Sequence, residues 1–319
     1  MTLNHRMVWV GTCLLIGGAL FTLWLGLFSG VGISRIDFQK VTSGEDPNKA
    51  GDTRPILRVA VGAMISPTIT KQYYEDLLKW VGDQVGMRTV FTQRKTYAEV
   101  NNLLESQCVD LAFVCSGPYV AGHAKFGMEI IAVPVVNGKS EYYSYVLANK
   151  DSPIGTLDEL RGKRFAFTDP NSNTGCLVPR FLLAQKGETP ETFFSETFYT
   201  YSHDNSIKAV AEGMADGAAV DSLIWEFIQA TEPETVANTK VIRKSSPYGI
   251  PPVVVHPALD PVLKAKLKKV LLSLHQDPFA LSLIQKLRIE RFEEGDDSLY
   301  QTVREMEAWI KSSQSGHSL

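Results

Sequence analysis

The sequence is poor in sulfur and carries no excess of either charge. Four cysteines in 319 residues exclude a disulfide-stapled scaffold, and three of them, Cys108, Cys115 and Cys176, need individual explanations. A net charge of −3 with scattered basic residues offers no cationic stripe, so nucleic acid is not an expected partner. Missing too are the dinucleotide fingerprint GxGxxG, the phosphate loop GxxxxGK and the zinc motif His-Glu-x-x-His. No cofactor is therefore expected. No serine or cysteine sits in the activating context a nucleophile needs, so the chain reads as a binding protein and not as an enzyme.

What is present begins with an apolar run. Residues 7–33 contain no Asp, Glu, Lys or Arg, follow His5-Arg6, and are long enough to cross a bilayer. Residues 1–33 are thus expected to be an export signal or an N-terminal membrane anchor, with Cys13 an ordinary residue of that segment and not a lipid-modified one. Residues 34–55 are polar and read as a flexible tether.

Beyond the tether the pattern alternates. Residues 57–62 read as a buried strand, and after the Ser66-Pro67-Thr68 turn the apolar spacing predicts a helix over 69–85. Further strands are expected at 89–93, 109–115, 130–136, 143–149, 164–168, 198–201 and 218–221, with helices at 97–106, 157–160, 175–186 and 206–215. An extended stretch from 240 to 256 precedes helices at 261–274, 279–283 and 298–312. This predicts an α/β protein of two lobes with mostly parallel sheets covered on both faces. Lobe 1 is expected over 56–144, lobe 2 over 145–240, and a return to lobe 1 with C-terminal helices over 241–319. Loops from both lobes would then meet in a cleft. The acidic positions Glu293, Glu294, Asp296 and Asp297 read as a solvated charge cluster.

The run Asp169-Pro170-Asn171-Ser172-Asn173-Thr174-Gly175-Cys176 carries the most information. It places hydroxyl and amide side chains and unpaired main-chain N–H groups where a strand becomes a helix, an arrangement able to hold an oxyanion. This run, together with Tyr201-Ser-His-Asp-Asn-Ser-Ile207, Asp216-Gly-Ala-Ala-Val-Asp-Ser222, Val109-Asp-Leu-Ala-Phe113, Gly117-Pro118-Tyr119 and Thr156-Leu-Asp-Glu-Leu-Arg-Gly-Lys163, resembles the phosphate/phosphite/phosphonate substrate-binding family of periplasmic proteins. The resemblance covers essentially all of 57–288 and implies a type II periplasmic binding fold that closes two lobes over a small ligand. It also implies a pocket built from Ser172, Asn173, Thr174, His203 and Asp221 with an aromatic side chain from Tyr142 or Tyr143. Those two are adjacent on an extended segment, so only one should face the pocket. His203 would donate to the anion, and Asp221 would accept from a protonated ligand oxygen or an ammonium. Asn173 departs from the family's Ser-Thr-Ser pattern. Tyr119, following a Gly-Pro turn at a strand end, and Thr68, following the first strand, are further candidates for the pocket wall.

Two thiols direct the reading further. Cys115 is expected at the C-terminal end of a lobe 1 strand and Cys176 at a lobe 2 helix start, where closure would bring them together and the helix terminus would favour thiolate. Each has a competing reading as a buried packing residue. Sulfur is a soft ligand, and the pattern is similar to the arsenite-binding sensory branch of the same family. On that resemblance the ligand is arsenite, arsenic(III) is held through Cys115 alone or with Cys176, Cys108 is the rival thiol, and the partner is a membrane histidine kinase. The alternative is a receptor for phosphonate, phosphite or phosphate that serves an ABC permease. Both place the protein in the periplasm, free or tethered to the inner membrane.

Overall fold

The computed structural model describes residues 52–315. The apolar segment, Cys13 and most of the tether lie outside the described residues. In chain order the first lobe comprises β1 (Ile56–Val61), α1 (Pro67–Gln84), β2 (Arg88–Gln93), α2 (Tyr97–Glu105), β3 (Leu111–Phe113), α3 (Ser116–Phe126) and β4 (Glu129–Val135). The short β5 (Glu141–Tyr142) leads into the second lobe: β6 (Ser144–Asn149), β7 (Arg164–Phe167), a single π-helical turn (Asn173–Leu177), α4 (Val178–Ala184), α5 (Pro190–Phe193), β8 (Glu196–Tyr199), α6 (His203–Ala211), β9 (Gly217–Asp221), α7 (Ser222–Thr231), α8 (Pro233–Ala237) and β10 (Thr239–Lys244). The chain then returns through β11 (Tyr248–Gly249) to β12 (Val253–Val255), α9 (Pro261–Ser273), α10 (Pro278–Lys286), β13 (Arg291–Glu293) and α11 (Gln301–Ser315).

Local chemistry explains most of these boundaries. Pro67 opens α1, whose buried Tyr74, Leu77, Leu78 and Val81 recur at helical spacing. Thr96 and Glu99 form a reciprocal cap at the start of α2, each satisfying the other's main-chain N–H. Asp221 both ends β9 and caps α7 by accepting from the Leu223 N–H at 2.7 Å. This immediate strand-to-helix passage, with no loop between, is why the sequence pattern missed α7.

The sheets are mixed, which corrects the expectation of mostly parallel ones. The first has strand order β13-β4-β12-β3-β1-β2 and the second β10-β6-β9-β7-β8. Parallel pairing is confined to β1 with β2 and β3, and to β7 with β8 and β9. After the return to the first lobe, β12 and β13 run antiparallel to β3 and β4, and in the second sheet β6, the first strand after the outward crossing, runs antiparallel to both its neighbours, β9 and β10. Because β10 belongs to the second sheet, the return to the first lobe lies beyond Lys244.

Candidate functional site

The two lobes are closed on each other. The His203 N–H donates to the Met64 carbonyl at 3.0 Å. The Ser66 N–H donates to Asp204 Oδ1 at 2.9 Å, and the Tyr97 N–H to Asp169 Oδ2 at 3.1 Å. Each bond joins a turn after a first-lobe strand to a turn after a second-lobe strand, at the carboxyl ends where such sheets gather their ligand loops. Backbone approach at this seam is close enough to demand glycine: a Cβ on Gly117 would stand 2.3 Å from the Asn171 carbonyl oxygen.

Between these bonds lies a cradle of buried polar groups. Ser172 turns its hydroxyl back to accept from the Gly175 N–H at 3.0 Å, shaping the turn. The Asn173 amide donates to the Tyr142 hydroxyl at 3.1 Å, and the Thr174 carbonyl accepts from the Ser144 hydroxyl at 2.6 Å. That leaves Asn173 Oδ1, Thr174 Oγ1 and Asp221 Oδ2 buried without a hydrogen-bond partner. Orphaned buried polar atoms cost about 1–3 kcal/mol each, and several converging in one cleft mark the place where a polar ligand completes the network.

His203 is held in one tautomer. Its Nδ1 accepts from the Asp221 N–H at 3.0 Å, with Thr168 Oγ1 at 3.1 Å, so the ring proton resides on Nε2. Nε2 points at the Tyr97 hydroxyl 3.5 Å away, too long to occupy the donor fully. Burial pushes the imidazole pKa down to about 3, so the ring stays neutral and acts as a hydrogen-bond donor and not as a cation. Burial pushes the Asp221 carboxyl the other way, to about 7, against N–H bonds from Leu223 and Ile224 that favour the anion. Burial likewise raises the Tyr97 and Tyr142 phenols well above their usual range. The cradle thus presents neutral donors and a carboxyl poised to share a proton, which suits a partly protonated oxyanion.

The structure brings together Ser172, Asn173, Thr174, His203, Asp221, Tyr142 and Cys115; it does not bring in the rest of the candidates. Tyr143 is half-buried, 3.6 Å beneath the Lys244 ammonium, on the opposite face from Tyr142. Tyr119 lies inside α3 with its hydroxyl donated to Asp297 at 2.7 Å, so that acidic position is a structural acceptor as well as part of a charged surface. The sequence read α3 as a turn because its Ser-Gly-Pro-Tyr-Val start is buried on every side and shows no amphipathic period. Thr68 is exposed at the start of α1, and Met64 and Ile65 line the cleft instead. Tyr97 was missed as a site residue. Its signal was available: the Thr96-Glu99 cap fixes a helix start directly after a strand, where Tyr97 is the first side chain.

The thiols differ most from expectation. Cys176 packs with Val146, Phe165, Phe167 and Ala219, 3.9 Å from the Tyr199 hydroxyl. Cys115 Sγ lies 3.7 Å from the Tyr142 hydroxyl and belongs to the apolar cluster that holds Leu147, Ala166, Ala218 and Val220. These sets alternate along β6, β7 and β9, so the two sulfurs serve opposite faces of the second sheet and closure does not join them. Both are free. Burial raises the Cys176 thiol, and raises Cys115 to about 11 despite N–H groups from Asn173 and Gly117 directed at its sulfur. Desolvation outweighs any helix-terminus effect, and thiolate is not the resting form. Cys108 is exposed and outside the cleft.

A two-lobed α/β fold closed over a buried, orphan-lined cradle defines a periplasmic binding protein of the type II architecture. The chain belongs to the family described as "ABC transporter, phosphonate, periplasmic substrate-binding protein", whose model matches residues 59–300. It is 23% identical over 82% of its length to the phosphonates-binding periplasmic protein of Escherichia coli, covering 78% of that protein. It is 29% identical to the phosphate-import protein of Mycolicibacterium smegmatis, over 62% of this chain and 65% of that one. Among solved structures, a binding-protein component of an ABC phosphonate transporter from Pseudomonas aeruginosa superposes with a TM-score of 0.78 at 25% identity, over 82% of this chain and 88% of that chain.

These matches overturn the arsenite-sensor reading. The family model and the relatives concern phosphonate and phosphate in ABC transport, and neither an arsenite-binding branch nor a histidine-kinase partner receives support. Burial that keeps both thiols protonated, on opposite faces of the second sheet, weakens its chemical basis as well. The family is one of substrate-binding proteins without catalytic activity, and the protein is periplasmic.

Proposed function

We propose that this protein is the periplasmic receptor of an ABC importer and binds a phosphorus oxyanion, a phosphonate, phosphite or phosphate, between its lobes. One observation carries the reading: Asn173 Oδ1, Thr174 Oγ1 and Asp221 Oδ2 are buried without partners beside the under-used His203 Nε2–H. In this reading the Thr174 hydroxyl and His203 donate to ligand oxygens, while Ser172 shapes the turn that presents them. Tyr97 and Tyr142 wall the anion, and Asp221 shares a proton with it. Asn173 Oδ1 takes the ligand's own hydroxyl, where it has one. None of these residues is cationic, so a singly charged ligand fits better than a dianion, whose second charge would be desolvated without compensation. Closure around the bound anion is the state an importer's permease would recognise.

Calorimetric titration of the ligand-free protein with methylphosphonate, phosphite and phosphate tests this. Saturable one-to-one binding of at least one of them is expected. Absence of binding to all three would remove the reading.

A further inference from the structure

The order of strands places one edge of each sheet at the mouth of the cleft. In the first sheet β4 and β12, the strands next to the crossings between lobes, lie toward one side, and β2 is the opposite edge. In the second, β6 and β10 lie at one side and β8 is the opposite edge. The loops that follow β2 and β8 therefore stand on the side of the cleft remote from the crossings, where opening separates the lobes furthest. A cation–π contact joins these loops. Lys95, two residues beyond β2, carries its ammonium 4.5 Å from the centre of the ring of Tyr201, two residues beyond β8.

Both partners are tied to the cradle. Lys95 is exposed, makes no ion pair among the described residues, and precedes Thr96, whose reciprocal cap with Glu99 fixes where Tyr97 begins α2. Tyr201 is half-buried and holds φ at +63°, a left-handed conformation that an aromatic residue rarely adopts. Its N–H donates to the Thr168 carbonyl at 2.7 Å, while the Thr168 hydroxyl stands 3.1 Å from His203 Nδ1. Thr168 thus anchors the ring at the rim together with the ring in the cradle. Two residues further along each segment, Tyr97 and His203 meet at 3.5 Å. The outer pair repeats the inner one at the mouth.

We propose that Lys95 is a positioning residue of the binding cycle, which draws the anion to the open mouth and then latches the closed lobes by stacking on Tyr201. The inference rests on the receptor reading above and concerns how the anion enters and leaves. A chain of net charge −3 repels an anion at long range, and the cradle offers it no cation. Attraction is therefore gained at the rim, where an ammonium without a carboxylate partner raises the local concentration of the ligand. In the closed state Asn173, Thr174 and His203 are fully buried, so the ligand leaves only when the mouth opens. A contact at that mouth slows the opening step.

The test is stopped-flow binding kinetics, read by intrinsic fluorescence, with methylphosphonate, phosphite and phosphate. The proteins compared are wild type, Lys95→Gln, Lys95→Arg, Tyr201→Leu and the Lys95→Gln/Tyr201→Leu double variant. Lys95→Gln is expected to slow association about two- to fivefold at low ionic strength, a difference lost near 1 M salt, where the screening length is about 3 Å. It is also expected to speed dissociation about two- to fivefold, the effect of one exposed cation–π contact. Lys95→Arg keeps the charge and stacks on the ring, and is expected to restore both rates. Tyr201→Leu is expected to speed dissociation by a similar factor while leaving association within about twofold, and the double variant to dissociate no faster than the quicker single one. Association in Lys95→Gln that matches wild type at low salt would overturn the steering role. Dissociation unchanged in Lys95→Gln, or effects of the two substitutions that simply add, would overturn the latch and leave the receptor reading standing. No binding of any of the three anions would take down both. Should Tyr201→Leu fail to fold, Lys95→Gln against Lys95→Arg still decides, because Lys95 is exposed.

Discussion

His203→Ala is expected to weaken phosphonate binding by roughly 10- to 150-fold, because a hydrogen bond to a buried anion contributes about 1.5–3 kcal/mol. The Nε2–H is the donor that the closed structure leaves under-used, 3.5 Å from Tyr97. The same substitution strips Nδ1 from the Asp221 N–H, so part of the effect arises from a loosened β9–α7 junction. His203→Gln offers a side-chain amide in place of the imidazole and is expected to recover part of the loss. Titration calorimetry of the three proteins, each first checked for an unchanged far-ultraviolet spectrum, reads the difference. Equal affinity in wild type and His203→Ala would place the anion elsewhere.

The second large effect concerns pH. Asp221 has its carboxyl pKa raised by burial from 3.8 to about 7, a change equivalent to roughly 4 kcal/mol. Between about pH 4 and pH 7 the folded protein keeps a proton that the unfolded chain has lost, so this group's contribution to stability declines as pH rises through that window. His203 works in the opposite sense. Its pKa is lowered from 6.5 to about 3, so between those values the unfolded chain binds a proton that the folded protein lacks, and stability increases with pH. In the overlap the two largely offset each other. Asp221→Asn removes one side of that balance. The ligand-free variant is expected to be more stable than wild type by an amount that grows from near zero at pH 4 to a few kcal/mol at pH 7.5. Urea unfolding of both proteins at several pH values measures it. A difference independent of pH would mean that Asp221 titrates normally and that the cradle is open to water.

How far the sequence reveals this protein can be followed residue by residue. The alternation of β1, α1, β2 and α2 is legible because β1 is a short, mostly apolar run, β2 is rich in β-branched and aromatic residues, and each helix carries a cap or an apolar stripe. The 169–176 turn, His203 and Asp221 are legible as a motif set, and the structure gathers them at one place. The direction of β12 and β13 is not legible, since pairing sense depends on which sheet the chain re-enters and not on local composition. Nor is α3, whose first five residues are all buried and show no amphipathic period.

Cys115 and Cys176 show a different limit. Proximity in a closed cleft was inferred from their positions at a strand end and a helix start, but that placement does not specify the face of the second sheet each sulfur meets. One lies with Leu147 and Ala166, the other with Val146 and Phe165, and the intervening sheet settles the chemistry. Cys115 remains beside the cradle as a protonated thiol, 3.7 Å from the Tyr142 hydroxyl, and the orphaned oxygen atoms define the ligand. Tyr97 illustrates the reverse case, a site residue announced by its cap yet contributed by the lobe that the motif does not cover.

The most direct measurement is a crystal structure of the protein grown with methylphosphonate. The account requires phosphonate oxygens within hydrogen-bond distance of Thr174 Oγ1, His203 Nε2 and Asp221 Oδ2. A ligand bound outside this cradle, or a closed complex in which those three atoms remain without partners, would contradict it.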